Sequence, residues 1–460
     1  MFSISFRSQK SARVVLFGAI LSSAFVVIFQ IAHLFMPEIL SLGVLTSNTD
    51  SILGSWNELA LFAGFSSLIS LLVTEFFSTT RIEKWILQTL IILSMFLIAA
   101  VNFSLVWGLL GISALVIFVY KISISVSFAQ EKIVEDISNV ATEESSHDDA
   151  RSVLGAKKVH FPIFSFAIII ISLLFFMFGQ SIGGILPNSL GLSNNEISPS
   201  LGTTMEVTRS VLKDNLLFGI GPNKFSEAWA MYKPLAINAT INGNSFWDVS
   251  FNSGSGLLPT LVSTTGYAGI LAWLIFLVLF VVSGVKSIFS SIKNGTNWET
   301  MAFFVLSFYL FISSFFYSVG PVIFLLALAF AGIFAGLSAS NNENGEISLL
   351  FLHDHRKSFF SMLFIVLIII ISTAVSFKYI GRLASVSYFR QALAATTVPE
   401  AITSINKALS LFQNDLYLRT YSQIYLLKLN SLAQNKEESL SDSEKADLQA
   451  SLDQTISGAQ

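Results

Sequence analysis

The chain has 460 residues, 53% hydrophobic and 12% charged, with 43 phenylalanines, no cysteine and a formal net charge of −3. Soluble domains carry roughly 25% charged residues, so a large part of this chain needs lipid as its solvent. The charge argues against a nucleic-acid partner, and the missing cysteine excludes disulfides, thiolate catalysis and cysteine-ligated metal.

Taken in order, apolar runs long enough for a bilayer fall near 12–35, 57–78, 84–101, 103–121, 161–184, 267–286, 300–318, 320–338 and 359–380. They predict an all-α, polytopic transmembrane bundle of about nine spans, with a membrane domain over 1–384 and an external tail over 385–460. The first run follows MFSISFRSQKSAR, which holds three basic residues and no acid. Its length, and the HLFMPEIL that follows it, fit an uncleaved signal-anchor rather than a cleaved signal peptide. Basic residues in short loops set the orientation. TTRIEK (79–84), the 121–160 segment with Lys157 and Lys158, the 286–299 loop with Lys286 and Lys293, and HDHRKS (353–358) are expected in the cytoplasm. The N-terminus is then inside, while 36–56, 185–266 and everything after about 380 lie outside.

Within this frame, 121–160 is polar, serine-rich and acidic, and predicts a flexible cytoplasmic linker. Its His147 and the acids around it fix no metal geometry, so no metal site and no cofactor are expected. The external loop opens with the amphipathic TTMEVTRSVLKDNLLF, whose Met205, Leu212 and Leu216 suit a membrane surface. FGIGPNKF follows. Two readings stand for Gly219, Gly221 and Pro222: a turn closing that amphipathic stretch, or a phosphate-holding loop. The dinucleotide and P-loop patterns are both incomplete here, so a phosphate at this loop is expected to arrive on a lipid. Arg209, Lys213, Lys224 and Lys233 are its cationic candidates. The loop aromatics Trp229, Tyr232, Phe246, Trp247 and Phe251 suit either sugar stacking or the headgroup layer. In the tail, Ala401, Ile402, Ile405, Ala408, Leu409 and Phe412 share one helical face, and Tyr417, Tyr421, Ile424 and Tyr425, with Leu427 beside them, share another after a break at QND. This resembles a tetratricopeptide unit with Gln413 in place of the usual proline. One such unit cannot bury a core alone, which points to packing on the membrane domain or on a partner protein.

RSVLKDNLLFGIGPNKF (209–225) and LLPTLVSTTGYAGILAW (257–273) together resemble the signature region of the O-antigen ligase and polysaccharide polymerase family. In that family an arginine precedes a P/N-L-x-G-x-G-x-x-x-F turn, and an H-N-x-x-L-x-x-L-x-E-x-G-x-x-G segment leads into the next span. The resemblance implies metal-independent glycosyl transfer on the outer face of a cytoplasmic (inner) membrane. The donor would be a glycan on an undecaprenyl-diphosphate-type carrier and the acceptor another glycan or a surface molecule. It implies that Arg209 grips the diphosphate, a task suited to a planar, always ionised guanidinium. Gly219 and Gly221 match the turn glycines; Asn223, Lys224 and Lys213 stand beside them. The departure from the pattern is sharp. The family's histidine falls near Ser255, with Asn252 the nearest amide and Thr264 where an acid is common, and the five histidines (33, 147, 160, 353 and 355) all lie outside the loop. Three explanations are open: a carboxylate, Asp248 first and then Glu206, Asp214 or Glu227, takes the base role; diphosphate departure suffices; or the chain is a non-catalytic scaffold that binds the lipid-linked glycan and recruits partners through its tail.

Overall fold

A computed structural model describes residues 8–45, 47–142, 161–179, 181, 183–192, 196–234, 249–294, 298–340, 355–434 and 449. Among these residues the chain is helical and forms no β-strand. The helices are α1 (Gln9–Phe35), α2 (Trp56–Phe76), α3 (Arg81–Val101), α4 (Ser104–Thr142), α5 (Ile163–Phe178), α6 (Ile185–Ser189), α7 (Leu201–Asp214), α8 (Phe225–Tyr232), α9 (Leu257–Asn294), α10 (Trp298–Phe316), α11 (Pro321–Ser340), α12 (His355–Ala394), α13 (Val398–Leu411) and α14 (Asp415–Gln434). Eight of them, α1–α4 and α9–α12, are long and apolar enough to cross a membrane, and the protein is an all-α polytopic membrane protein. Two compact units are present, one of Met1–Pro37 and Ser47–Glu346, the other of Glu38–Thr46 and Ile347–Gln460.

In the first unit α2 and α10 are the central helices, buried along most of their length. Their sequences explain this. Alanine, glycine and serine recur in α2 (Ala60, Ala63, Gly64, Ser66, Ser67, Ser70), and small side chains let helix backbones approach closely where lipid offers no hydrophobic drive. The buried serines cost little, because Ser66, Ser70, Ser313 and Ser314 each donate to the carbonyl four residues back at 2.7–2.8 Å. Tyr309 of α10 donates to the Leu61 carbonyl at 3.0 Å. Helix starts are set locally: Ser55 with Glu58, and Thr80 with Glu83, form reciprocal capping boxes for α2 and α3. Asn102, in the left-handed region at φ 55, ends α3 and leaves two residues before α4.

The 16-residue α5 is the short member of the set, about 24 Å at 1.5 Å per residue. Its first turn meets Lys84, which lies 5.9 Å from the Phe164 ring. At its far end Asn102 Nδ2 donates to the Gly179 carbonyl at 3.3 Å. α5 therefore runs between the same two levels as α3. One end of the bundle also gathers Arg13 with Glu299 at 2.6 Å, Phe76 stacked on Trp298, and Tyr120 bonded to Ser291 at 2.6 Å. The opposite end gathers 47–58, 196–208, 216–221, 251–268 and 317–320, as the bonds below show. α4 stays helical to Thr142, whereas the sequence reading places a flexible linker from 121; the segment EKIVEDISNV carries Ile133, Val134, Ile137 and Val140 at helical spacing. The rest of that linker, 143–160, is outside the described residues.

In the second unit α12 runs into a helical hairpin. Ala401, Ile405 and Ala408 of α13 are buried against Tyr417 and Ile424 of α14, and Phe389 of α12 stacks on Tyr417 with ring centroids 4.4 Å apart. Ser385 donates to the Ala408 carbonyl at 2.9 Å. Leu427, placed beside the tyrosine face from the sequence, is 61% exposed; it falls on the outer side of α14.

Candidate functional site

The glycine turn is built into a broken helix. α9 is interrupted at Gly266, whose φ is 63 and ψ −163. A break of this kind strands carbonyls before it and N–H groups after it. The turn at 216–221 takes up both sets. Ile220 N donates to the Ser263 carbonyl at 2.9 Å and Gly221 N to that of Thr264 at 3.0 Å. In return, Tyr267 N and Ala268 N donate to the carbonyls of Leu216 and Leu217, each at 3.1 Å. Gly219 also has φ 63, and a Cβ there would strike the Ser263 carbonyl, as one on Gly266 would strike that of Leu217. Gly219 N is itself bonded to the Asn215 carbonyl at 3.1 Å. The N–H groups of 219–221 are thus engaged by backbone, and any anion held here meets side chains instead.

Two cations present themselves nearby. On α7, Thr204, Val207, Thr208 and Val211 are buried, and with Phe225, Ala228 and Trp229 of α8 the two valines form a small core. Arg209 and Lys213 lie on the opposite, exposed face, one turn apart. Neither has a hydrogen-bond or ion-pair partner among the described residues. Immediately after α7, Leu216, Leu217 and Phe218 are 56%, 59% and 74% exposed. The carbonyls of Leu216 and Leu217 bond to Tyr267 and Ala268, which are exposed on α9 just past its break, with exposed Leu271 one turn further on. Three adjacent exposed apolar side chains on a membrane protein suit a headgroup and acyl boundary, and Arg209 and Lys213 precede them on α7.

The other candidates around the turn behave differently. Lys224 pairs with Glu227 at 3.1 Å on the surface. Asn223 sits at φ 60 in the exposed turn before α8. Asp214 accepts from the Tyr232 hydroxyl.

Asn252 and Ser255 join a separate cavity of about 110 Å³, lined also by Glu196, Ser198, Phe251 and Tyr317. The chain at 253–256 threads closely here: a side chain on Gly254 would meet Thr204, and one on Gly256 the Phe315 carbonyl. Ser255 N donates to Thr204 Oγ1 at 3.1 Å and Gly254 N to Thr260 Oγ1 at 2.9 Å. Tyr317 links Glu196, to which its hydroxyl donates, with Ser55 Oγ at 2.7 Å. Asn57 Nδ2 donates to the second Glu196 oxygen at 2.8 Å. Behind them Glu58, 5% exposed, accepts from the N–H groups of Ser55 and Gly320. Burial, with Glu196 beside it, pushes the Tyr317 phenol well above its usual range, so it stays protonated and keeps donating.

The structure therefore brings Asn252 and Ser255 together, and Gly219 with the α9 break, while Arg209 and Lys213 face away from the cavity. Asp248 lies outside the described residues, as do Phe246 and Trp247. Among the described residues no group of three or more His, Asp or Glu could hold a metal. Glu196 and Tyr317 had no signal in the sequence, since they meet only through folding; the Ser55–Glu58 pair was readable as a capping box. A larger apolar groove of about 600 Å³ lies between α9 and α11, lined by Phe276, Phe280, Gly332 and Phe334 among others, and includes none of these polar residues. Compared with models of known protein families, with curated proteins and with solved structures, the chain finds no match.

Proposed function

We propose that the protein transfers or polymerises a glycan carried on a lipid diphosphate, at the outer face of the cytoplasmic membrane. The observation that carries this reading is the exposed pair Arg209 and Lys213, without protein partners among the described residues, followed in the chain by the exposed apolar tripeptide Leu216–Phe218. A diphosphate headgroup with a prenyl tail matches both halves of that surface. Arginine would bind two phosphate oxygens at once and stay charged as the leaving oxygen gains charge. The likeness of 209–225 and 257–273 to the O-antigen ligase and polymerase signature supplies the glycan and the reaction class. The orientation is read from the basic short loops, which are expected inside; within the first unit Lys84 and the Tyr120–Ser291 and Arg13–Glu299 contacts lie at the end of the bundle opposite the 196–268 region.

The bond that breaks joins the anomeric carbon of the donor sugar to the diphosphate. The bond that forms joins that carbon to an acceptor hydroxyl oxygen, whose proton leaves to a base or to water. Arg209→Ala is expected to abolish glycan transfer in membranes at unchanged protein level; undiminished transfer removes Arg209 from the mechanism. The second reading, a scaffold that grips the same headgroup without transfer, draws on one fact: Arg209 does not line the cavity at Asn252 and Ser255. Loss of a co-purifying protein on deleting 400–460, with no carrier ever released, would support the scaffold.

A further inference from the structure

We infer that the cavity between the 196–199 segment, the 251–255 segment and the turn at 317–318 is a binding site for one neutral saccharide ring. Glu196 would accept its hydroxyl hydrogens and Phe251 would pack against its C–H face. The inference rests on the reading of the protein as one that handles glycans, and it gives the sugar a place distinct from the diphosphate.

The size fits a single ring. About 110 Å³ is several times the roughly 30 Å³ a water occupies, and well below the roughly 300 Å³ at which drug-sized pockets begin. The walls carry a carboxylate, an amide, hydroxyls from Ser198, Ser255 and Tyr317, and one phenyl ring, with no lysine, arginine or histidine. A phosphate would meet the like charge of Glu196 in a lining that holds no cationic side chain. A divalent cation would ask for about six oxygen ligands or more, where this wall offers one carboxylate. A neutral polyol suits the set: hydroxyls donate to the carboxylate, and an amide both gives and receives.

The wall is also held in place before any ligand arrives, which lowers the cost of binding. The Glu196 carboxylate is exposed yet oriented by Asn57 and Tyr317. Tyr317 is fixed by its bond to Ser55 and by an edge contact with Phe103 at 5.4 Å. Phe251 meets Trp229 edge to face at 4.9 Å, and Trp229 is tied to the Val249 carbonyl at 3.1 Å. The cavity floor bonds to the inner face of α7 through Thr204, while Arg209 occupies its outer face.

Saturation-transfer NMR on the full-length protein in detergent tests this, using neutral methyl glycosides of glucose, galactose, mannose and N-acetylglucosamine as probes and glucose 1-phosphate as the charged comparison. At least one neutral glycoside should receive signal and bind better than the phosphate. Glu196→Gln should weaken it about tenfold or more, the range expected for loss of a charged acceptor, and Phe251→Ala should abolish it. Glutamine keeps the shape, with its amide oxygen accepting from Asn57 and its amide nitrogen donating to the Tyr317 hydroxyl oxygen, so an unchanged unfolding temperature separates lost binding from lost fold. No transfer to any neutral glycoside, transfer that survives both substitutions, or tighter binding of the phosphate overturns the inference. Titrating the same wild-type sample with farnesyl diphosphate keeps the two readings apart. Arg209-dependent diphosphate binding without glycoside transfer defeats the saccharide site alone, and the converse defeats the headgroup site alone.

Discussion

Gly219→Ala tests whether the turn and the helix break are one unit. Residue 219 has φ 63, and its Cβ would strike backbone atoms of Ser263, Thr264 and Gly266. The left-handed conformation alone costs a non-glycine residue about 1–2 kcal/mol. The clash is with backbone and cannot be relieved by turning a side chain, so the turn must move off the break. Four hydrogen bonds cross that boundary, each with a net value of about 1 kcal/mol, and opening two of them brings the total to about 3–4 kcal/mol. That is a factor of roughly 100–1,000 in local opening. Hydrogen exchange followed by mass spectrometry should show the amides of Ile220, Gly221, Tyr267 and Ala268 losing protection by that factor, while α2 and α10 stay protected. Gly191 is the control, since its φ is also 63 but an added Cβ meets nothing within 4 Å. Gly191→Ala should carry the conformational cost alone, about 1–2 kcal/mol. Unchanged protection at 220–221 and 267–268 in Gly219→Ala would refute the interlock.

Arg13→Ala strands the Glu299 carboxylate, 2% exposed, and should cost about 3 kcal/mol or more; thermal unfolding in detergent should show the double variant Arg13→Ala with Glu299→Leu recovering most of that loss. A spin label at Phe218 should relax with lipid-soluble oxygen, and one at Lys224 with a water-soluble nickel complex; the reverse pattern would place the turn away from the bilayer. Ile405→Ala, at a fully buried position in α13, should destabilise the tail hairpin by about 2–4 kcal/mol, whereas Leu427→Ala, largely exposed, should change it by less than about 0.5 kcal/mol. Limited proteolysis of the tail reads out both.

The membrane-crossing elements were legible because apolar runs of bilayer length leave few alternatives, and the two halves of the tail hairpin because Ala401, Ile405 and Ala408 recur at helical spacing. Other features depend on partners far away in sequence. The span read as 267–286 belongs to a helix that starts at Leu257, and what lets it break at Gly266 is a set of bonds from a turn some fifty residues earlier. Gly219 and Gly221 read also as a phosphate loop, since nothing local reveals that the Gly221 N–H is spent on α9 and the Gly219 N–H on the Asn215 carbonyl. The cavity joins positions near 55, 196, 252 and 317, and no window of sequence contains more than one of them. Arg209 and Lys213 sit one turn apart in any helical reading, but their exposure follows from the burial of Val207 and Val211 on the other face of α7 against α8.

The central claim concerns the fate of a lipid-diphosphate carrier. Purified protein reconstituted in nanodiscs, incubated with a prenyl-diphosphate-linked oligosaccharide and a glycan acceptor, should release the free prenyl diphosphate and lengthen or glycosylate the acceptor, and the Arg209→Ala protein should do neither. A donor that remains intact with the wild-type protein, or is consumed equally by Arg209→Ala, would contradict the account.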